Sequence, residues 1–286
     1  MYVSPNCRRR KRLSAQVYIC AMSHYCDTHA HIYLPEFKDQ MDTIVQRAED
    51  SKVLKVALPN IGSSTTKALK ETADMNPDFH PMMGIHPCSI KPESYRNELN
   101  HVLTELESNY TSIHGKGYCA VGEIGIDLYW DKSTLDIQTE AFEQQMLWAF
   151  EKNLPVAVHC RDAYDEVITS IASMEAKRPK GVLHCFTGTI EQANALIDLG
   201  FLLGIGGVVT FKNSGLDKVV EQVDLQHLIL ETDSPYLAPT PYRGKRNEPS
   251  YTALVAEKIA AAKGLENPLE SVGKPTSENA ANLFNW

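Results

Sequence analysis

Six side chains of the kinds that bind cations or move protons stand at the ends of short apolar runs: His29, His31, Glu123, His159, His184 and Asp233. The first run closes in Asp27-Thr28-His29-Ala30-His31. Two imidazoles two residues apart on an extended chain share a face and can hold one cation. Alone, this H-x-H is a weak signal, because two partly exposed histidines fit it as well. The run Val121-Gly122-Glu123-Ile124-Gly125-Ile126-Asp127 sets a carboxylate among glycines and apolar residues, which is costly to bury unless it is paired or binds a cation. Ala157-Val158-His159-Cys160-Arg161 and Val182-Leu183-His184-Cys185-Phe186 each end near one histidine, a residue that in such a place is more often a satisfied core or rim group. Leu228-Ile229-Leu230-Glu231-Thr232-Asp233 ends in two acids of one parity. Each signal is modest, but six ligand-type residues from five runs are a poor fit to accident. Four imidazoles and two carboxylates exceed what one tetrahedral ion needs and suffice for two ions if a carboxylate bridges. Two cations about 3.5–4 Å apart suit hydrolysis, one activating water and both holding the oxygens of an in-line displacement.

Other residues fall around this set. Asp233 is the expected acceptor of the attacking water's proton, and Glu231 either orients the site or forms a buried ion pair. Arg161, two residues past His159, can clamp a phosphate through its fork of donors, or it forms a rim ion pair with Asp162. His86 is expected either to contact phosphate and protonate a leaving oxygen or to serve the structure. The segment Tyr242-Arg243-Gly244-Lys245-Arg246-Asn247 combines three cations with a tyrosine, a composition suited to a nucleic-acid backbone with one stacked base; a solvated charged face is the plainer alternative. From it Tyr242, Arg243 and Lys245 are taken as substrate-binding candidates.

The elements that must carry these residues follow from the alternation of short apolar runs with amphipathic stretches, the pattern of a parallel α/β protein. Strands are expected near 25–31, 53–59, 80–86, 118–124, 155–160, 181–186, 201–206 and 227–233. Helices are expected near 36–51, 64–75, 94–109, 134–153, 163–175, 190–199, 215–223 and 249–264, with a last one near 277–284 that caps the barrel or packs outside it. Phe142, Met146, Ala149 and Phe150 give the fourth helix its spacing, and Asn153 with Pro155 ends it. Eight strand–helix units close a (β/α)₈ TIM barrel, whose sites lie at the C-terminal ends of the strands. All six residues fall there.

The motifs also carry a resemblance. Asp27-Thr28-His29-Ala30-His31, Gly84-Ile85-His86-Pro87, Gly122-Glu123-Ile124-Gly125-Ile126-Asp127, His159-Cys160-Arg161-Asp162-Ala163, His184-Cys185-Phe186-Thr187-Gly188, Glu231-Thr232-Asp233-Ser234-Pro235-Tyr236-Leu237-Ala238-Pro239 and Arg243-Gly244-Lys245-Arg246-Asn247-Glu248-Pro249 together resemble the TatD family of metal-dependent deoxyribonucleases, within the amidohydrolase-like barrels. The resemblance runs from about Tyr25 to the C-terminus. It implies that His29, His31 and Asp233 hold one metal, that His159 and His184 hold the other, and that Glu123 bridges. The family's use of Mg²⁺, Mn²⁺ or Zn²⁺ leaves the ion open; imidazole content favours Zn²⁺ or Mn²⁺, and the Mg²⁺-dependent members point the other way. Ile32-Tyr33 stands where the family often has Leu-Asp. The activity implied is hydrolysis of DNA phosphodiesters, at single-stranded ends because a narrow barrel mouth admits one strand more readily than a duplex.

Two other readings fit parts of the pattern. An amidohydrolase-type C–N or ester hydrolase, such as an aminoacyl-tRNA deacylase, often bridges its metals with a modified lysine on strand 4. Here that place is Glu123, and Lys116 and Lys132 fall outside the strand. A barrel kept only as an interaction scaffold would be expected to have lost ligands.

The bulk numbers fit a soluble monomeric enzyme. With 286 residues, 43% hydrophobic and 22% charged, the chain can bury one large core as a single domain over 23–286. No apolar stretch is long enough to span a membrane. A net charge of −8 argues against a non-specific nucleic-acid coat, though not against a nuclease with local cations. Seven dispersed cysteines without a C-x-x-C pair fit a reducing cytoplasm, and Cys26, Cys160 and Cys185 are expected to face the helix layer as small apolar groups. Residues 1–22, with the basic run Arg8-Arg9-Arg10-Lys11-Arg12, read as an N-terminal extension, disordered or from a misassigned start; the apolar run that follows is too short for a secretory signal.

Overall fold

The computed structural model describes residues 23–286, so the reading of 1–22 lies outside the described residues. Eight parallel strands follow in order: β1 Tyr25–Asp27, β2 Val53–Leu58, β3 Phe79–Pro81, β4 Val121–Asp127, β5 Val156–Arg161, β6 Gly181–Leu183, β7 Phe201–Ile205 and β8 Leu228–Leu230. Helices return the chain between them: α1 Met41–Asp50, α2 Ser63–Ala73, α3 Tyr95–Glu107, α4 Leu135–Glu151, α5 Tyr164–Ser173, α6 Ile190–Asp198 and α7 Leu216–Gln222, then α8 Thr252–Lys263 and α9 Lys274–Phe284 after β8. The ladders form a three-stranded and a five-stranded sheet. Isolated parallel bridges join them at both seams, Met83 to Val121 and Ala30 to Ser234, giving the TIM-barrel arrangement.

Small side chains line the interior. Cys26, Ala57, Met82, Ala120, Ala157, Val182 and Ile229 come from seven different strand regions yet pack in one cluster with Ala280 and Phe284. Only the inside of a closed cylinder brings such residues together. Their strand neighbours, among them Val156, Val158, Leu183, Leu203, Leu228 and Leu230, face the helices. Cys160 joins that outer layer as expected. Cys26 does not: it lies inside the barrel, because β1 ends at Asp27 and strand alternation does not carry from His29 back to Cys26. The last helix caps the floor, where Asn279 Nδ2 donates to the carbonyls of Leu225 (2.7 Å) and Leu228 (2.8 Å). Phe150 is a correction of another kind, since it is 42% exposed at the end of α4 rather than packed in the core.

Ladder pairing stops earlier than the apolar runs suggest. β1 ends at Asp27, β6 at Leu183 and β8 at Leu230, so His29, His31, His184, Glu231 and Asp233 all follow their strands. The chain keeps its direction through single bonds: Thr28 N–H to Leu230 O (3.0 Å), Ala30 N–H to Ala57 O (3.0 Å), and His31 N–H to Ser234 O (2.7 Å). β4 instead runs later than expected, through Asp127, because Gly125 and Asp127 pair with His159 and Arg161. At Gly125 φ is +141°, and an added Cβ would collide with the His159 carbonyl; only glycine lets β4 and β5 approach here.

Candidate metal centre

The loops and strand ends at the C-terminal mouth bring all six predicted residues together. His29, His31 and Asp233 place ligand atoms within 4.8 Å of one another, as do His29, His184 and Glu231, and also His86, Glu123 and His159. Glu123 lies at the centre, 2% exposed. Its Oε2 is 3.2 Å from His29 Nε2 and 3.5 Å from His31 Nε2. Its Oε1 is 3.0 Å from His159 Nδ1, 3.3 Å from His86 Nε2 and 3.7 Å from His184 Nε2. One carboxylate thus turns one oxygen to each of two histidine groups. His184 lies between the groups, its ring stacked on His29 with centroids 3.5 Å apart and its centroid 6.2 Å from that of His159.

The outer partners of these rings decide where their lone pairs point. Tyr33 Oη donates to Pro59 O at 2.6 Å, and a hydroxyl has one proton. It must therefore accept from His31 Nδ1–H at 2.9 Å, leaving the Nε2 lone pair of His31 facing inward. Asp127 Oδ2, an acceptor, lies 3.0 Å from His159 Nε2, so that nitrogen carries the proton and the Nδ1 lone pair faces Glu123. His86 is the opposite case. Its Nδ1 accepts from the Cys88 amide at 3.0 Å, so in the neutral ring Nε2–H points inward as a donor.

The cluster therefore confronts acceptor with acceptor. His159 Nδ1 meets Glu123 Oε1 at 3.0 Å, and the inward Nε2 lone pair of His31 meets Glu123 Oε2 at 3.5 Å. Protons or cations must lie between such pairs, and buried imidazole and carboxylate donors at this density fit divalent cations. The electrostatics agree. Burial alone would raise the Glu123 pKa, yet the imidazoles of His86, His29 and His159 around it hold it well below the usual carboxylate range. Burial would lower that of His184, but Glu231 and Asp233 push it up to about 10.

The two acids after β8 part company. Cys185 and Asp233 have φ of +47° and +58°, left-handed turns that re-aim the chain just past the ladders. Glu231 is held within the cluster, its Oε1 accepting from the Cys185 amide (2.5 Å) and lying 3.0 Å from His184 Nδ1. A Cβ on Gly204 would occupy its place. Asp233 Oδ1 faces His31 Nε2 at 3.5 Å, and at 14% its side chain is more open than Glu123 at 3% or Glu231 at 1%. Both acids reach His184, Glu231 at Nδ1 (3.0 Å) and Asp233 at Nε2 (3.9 Å), although neither residue is in a strand.

The substrate-binding candidates are placed differently. His86 is in the cluster. Arg161 sits at the rim with its guanidinium carbon 3.6 Å from the Tyr129 ring centroid, and it makes no ion pair among the described residues. Tyr242 stacks on Tyr251 (4.5 Å, 4°), Arg243 lies over Phe211 at 4.4 Å and Lys245 over Tyr242 at 5.9 Å, all outside the cluster. Sequence reasoning missed Tyr33 and Asp127. The available signal was parity: Tyr33 is two residues past His31, and Asp127 is four past Glu123.

A family model for TatD-related DNases matches residues 26–285. The chain belongs to that family. Among TatD-family relatives, the uncharacterized metal-dependent hydrolase YabD of Bacillus subtilis is 38% identical, covering 90% of this chain and 98% of its own length. The 3'-5' ssDNA/RNA exonuclease TatD of Yersinia pseudotuberculosis is 31% identical over 87% of this chain and 95% of that protein. The crystal structure of the TatD homologue YjjV from Escherichia coli superposes with a TM-score of 0.83 at 27% identity, covering 92% and 98% of the two chains. The family and its metal-dependent hydrolase class are thus those that the motifs resemble.

Proposed function

We propose that this protein hydrolyses phosphodiester bonds at single-stranded ends of DNA, using two divalent cations of the Mg²⁺, Mn²⁺ or Zn²⁺ kind. The observation that carries the reading is the division of Glu123 between two histidine groups, at 3.2 and 3.0 Å. His29, His31 and Asp233 would hold one cation and His159 with His184 the other, with Glu123 shared. When bound, such a pair supplies Lewis acidity that makes water acidic near neutral pH and offsets charge on phosphate oxygens. The chain's own residues do the rest. Burial opposes ionisation of Asp233, but His184 and His31 hold its pKa below the usual carboxylate value, so its carboxylate is free to accept the attacking water's proton. His86 Nε2–H is the donor aimed into the mouth, suited to a phosphate oxygen or the leaving oxygen. Arg161 at the rim offers a fork of donors to an incoming phosphate. The Yersinia relative's name, an exonuclease of ssDNA and RNA, supports a single-strand substrate.

The test is a panel of end-labelled single- and double-stranded DNA and RNA, with ester and amide substrates beside them, assayed after chelator stripping and return of each metal. Stepwise shortening of single-stranded DNA, restored by at least one metal, is expected. Turnover of the esters or amides with every polynucleotide left intact would overturn the reading.

A further inference from the structure

Beside the metal centre the loop after β4 leaves two large aromatic rings open to solvent. Trp130 is 74% exposed and Tyr129 is 52% exposed, with ring centroids 4.8 Å apart and planes at 90°. Nothing in the fold requires this: neither ring belongs to a buried cluster, and exposed indole is costly surface. The loop is nonetheless tied down at its base. Leu128 N–H donates to Arg161 O at 2.9 Å, and Tyr129 N–H donates to Asp127 Oδ1 at 3.0 Å. Asp131 Oδ1 then accepts from the Ser133 amide (2.9 Å) and hydroxyl (2.6 Å), fixing the turn that follows. Gln138 brackets Asp127, accepting from its amide at 2.7 Å and donating to its carbonyl at 3.0 Å. The rings are held in place and left uncovered.

Their position relates them to the chemistry. Asp127, which anchors Tyr129, is also the acceptor for His159 Nε2–H at 3.0 Å. Arg161, two residues past His159, has its guanidinium carbon 3.6 Å from the Tyr129 centroid and 5.8 Å from that of Trp130. An arginine over a tyrosine, with an open indole alongside, presents flat π surface and one positive charge together. That combination recognises an unpaired base with its phosphate: bases stack on aromatic and guanidinium planes without regard to sequence, and the cation meets the backbone. A duplex keeps its bases stacked on one another and has no free face to offer.

Building on the phosphodiester reading, we propose that Trp130, Tyr129 and Arg161 form a stacking subsite for one unpaired nucleobase of the strand being cut. The subsite selects single strands and sets which nucleotide flanks the scissile bond.

The experiment walks one abasic (tetrahydrofuran) residue along a single-stranded DNA oligonucleotide and compares wild type, Trp130→Ala and Trp130→Phe. At one position, removing the base lowers wild-type kcat/KM about tenfold, the size expected for one stacked base. Trp130→Ala loses a similar factor on the intact strand, the two losses do not add, and Trp130→Phe restores most of the rate. A second readout needs no turnover. In excess EDTA, titration with the intact oligonucleotide quenches indole fluorescence, while the abasic strand and Trp130→Ala lose that quenching; Trp148 is buried and Trp286 lies at the barrel floor. With the side chain 74% exposed, these variants keep the fold. If wild type leaves intact strands uncut, the phosphodiester reading falls. If it cuts them, but losses from Trp130→Ala and the abasic residue simply add, or Trp130→Ala costs nothing, the subsite alone falls. Dependence of the indole signal on protein concentration without DNA would assign the rings to self-association and also overturn it.

Discussion

Histidines occupy both ends of this barrel, and the two ends treat them in opposite ways. At the floor, His80 of β3 is 4% exposed, stacks on Trp286 at 4.5 Å, and has Lys116 Nζ 3.4 Å from its Nε2. Burial and the charges of Lys116 and Lys55 push its pKa down to about 3, so it stays neutral. At the mouth, His184 is equally buried but faces Glu231 and Asp233, and its pKa goes up. A cavity of about 740 Å³ opens at the floor, lined in part by Lys116, Arg178 and Lys180, with no carboxylate side chain among the described lining residues. Room therefore does not mark the site. What marks it is the sign of the neighbours, since carboxylates converging on imidazoles create a place for cations, and lysines beside a neutral imidazole do not.

The strongest way to break that contrast is to remove carboxylate charge from the mouth. Asp233→Asn is expected to keep the fold and lower turnover on the order of 10³-fold or more. Near wild-type activity on any strand the native enzyme cuts would sink its role as proton acceptor. A smaller effect comes from the groups that aim the rings. Tyr33→Phe leaves His31 Nδ1–H without its acceptor, and Asp127→Asn removes the anion behind His159. Each should weaken metal binding about 10–100-fold, measured by chelator competition. Unchanged affinity in both would mean that the lone-pair directions are not fixed as described.

The floor supplies the smallest test, visible only in stability. The pKa of His80 is lower folded (about 3) than its ordinary value of 6.5, so the unfolded chain takes up protons first as pH falls. Its contribution is present above pH 6.5 and is lost as pH drops toward 3. In urea unfolding of metal-stripped protein, wild type should lose about 1 kcal/mol more than His80→Gln between about pH 7 and pH 5.5. Parallel slopes for the two proteins would remove His80 from the contrast.

The sequence by itself determined the barrel and the residue types gathered at its mouth. Alternation of apolar runs with amphipathic helices needs only local periodicity, and the candidate residues of five runs share one rim because parallel strands all point the same way. The strand ends were read too long at β1, β6 and β8, since an apolar run does not reveal where ladder pairing gives way to single bonds across a seam. Which nitrogen of each imidazole faces inward was decided only by tertiary structure. It depends on Pro59 taking the one proton of Tyr33 and on Asp127 reaching His159, contacts across 26 and 32 residues. The division of Glu123 between His29 and His159, and the bare rings of Tyr129 and Trp130 beside them, are likewise matters of distance between remote segments. Residue type and spacing name the donors; only closure of the cylinder sets who faces whom.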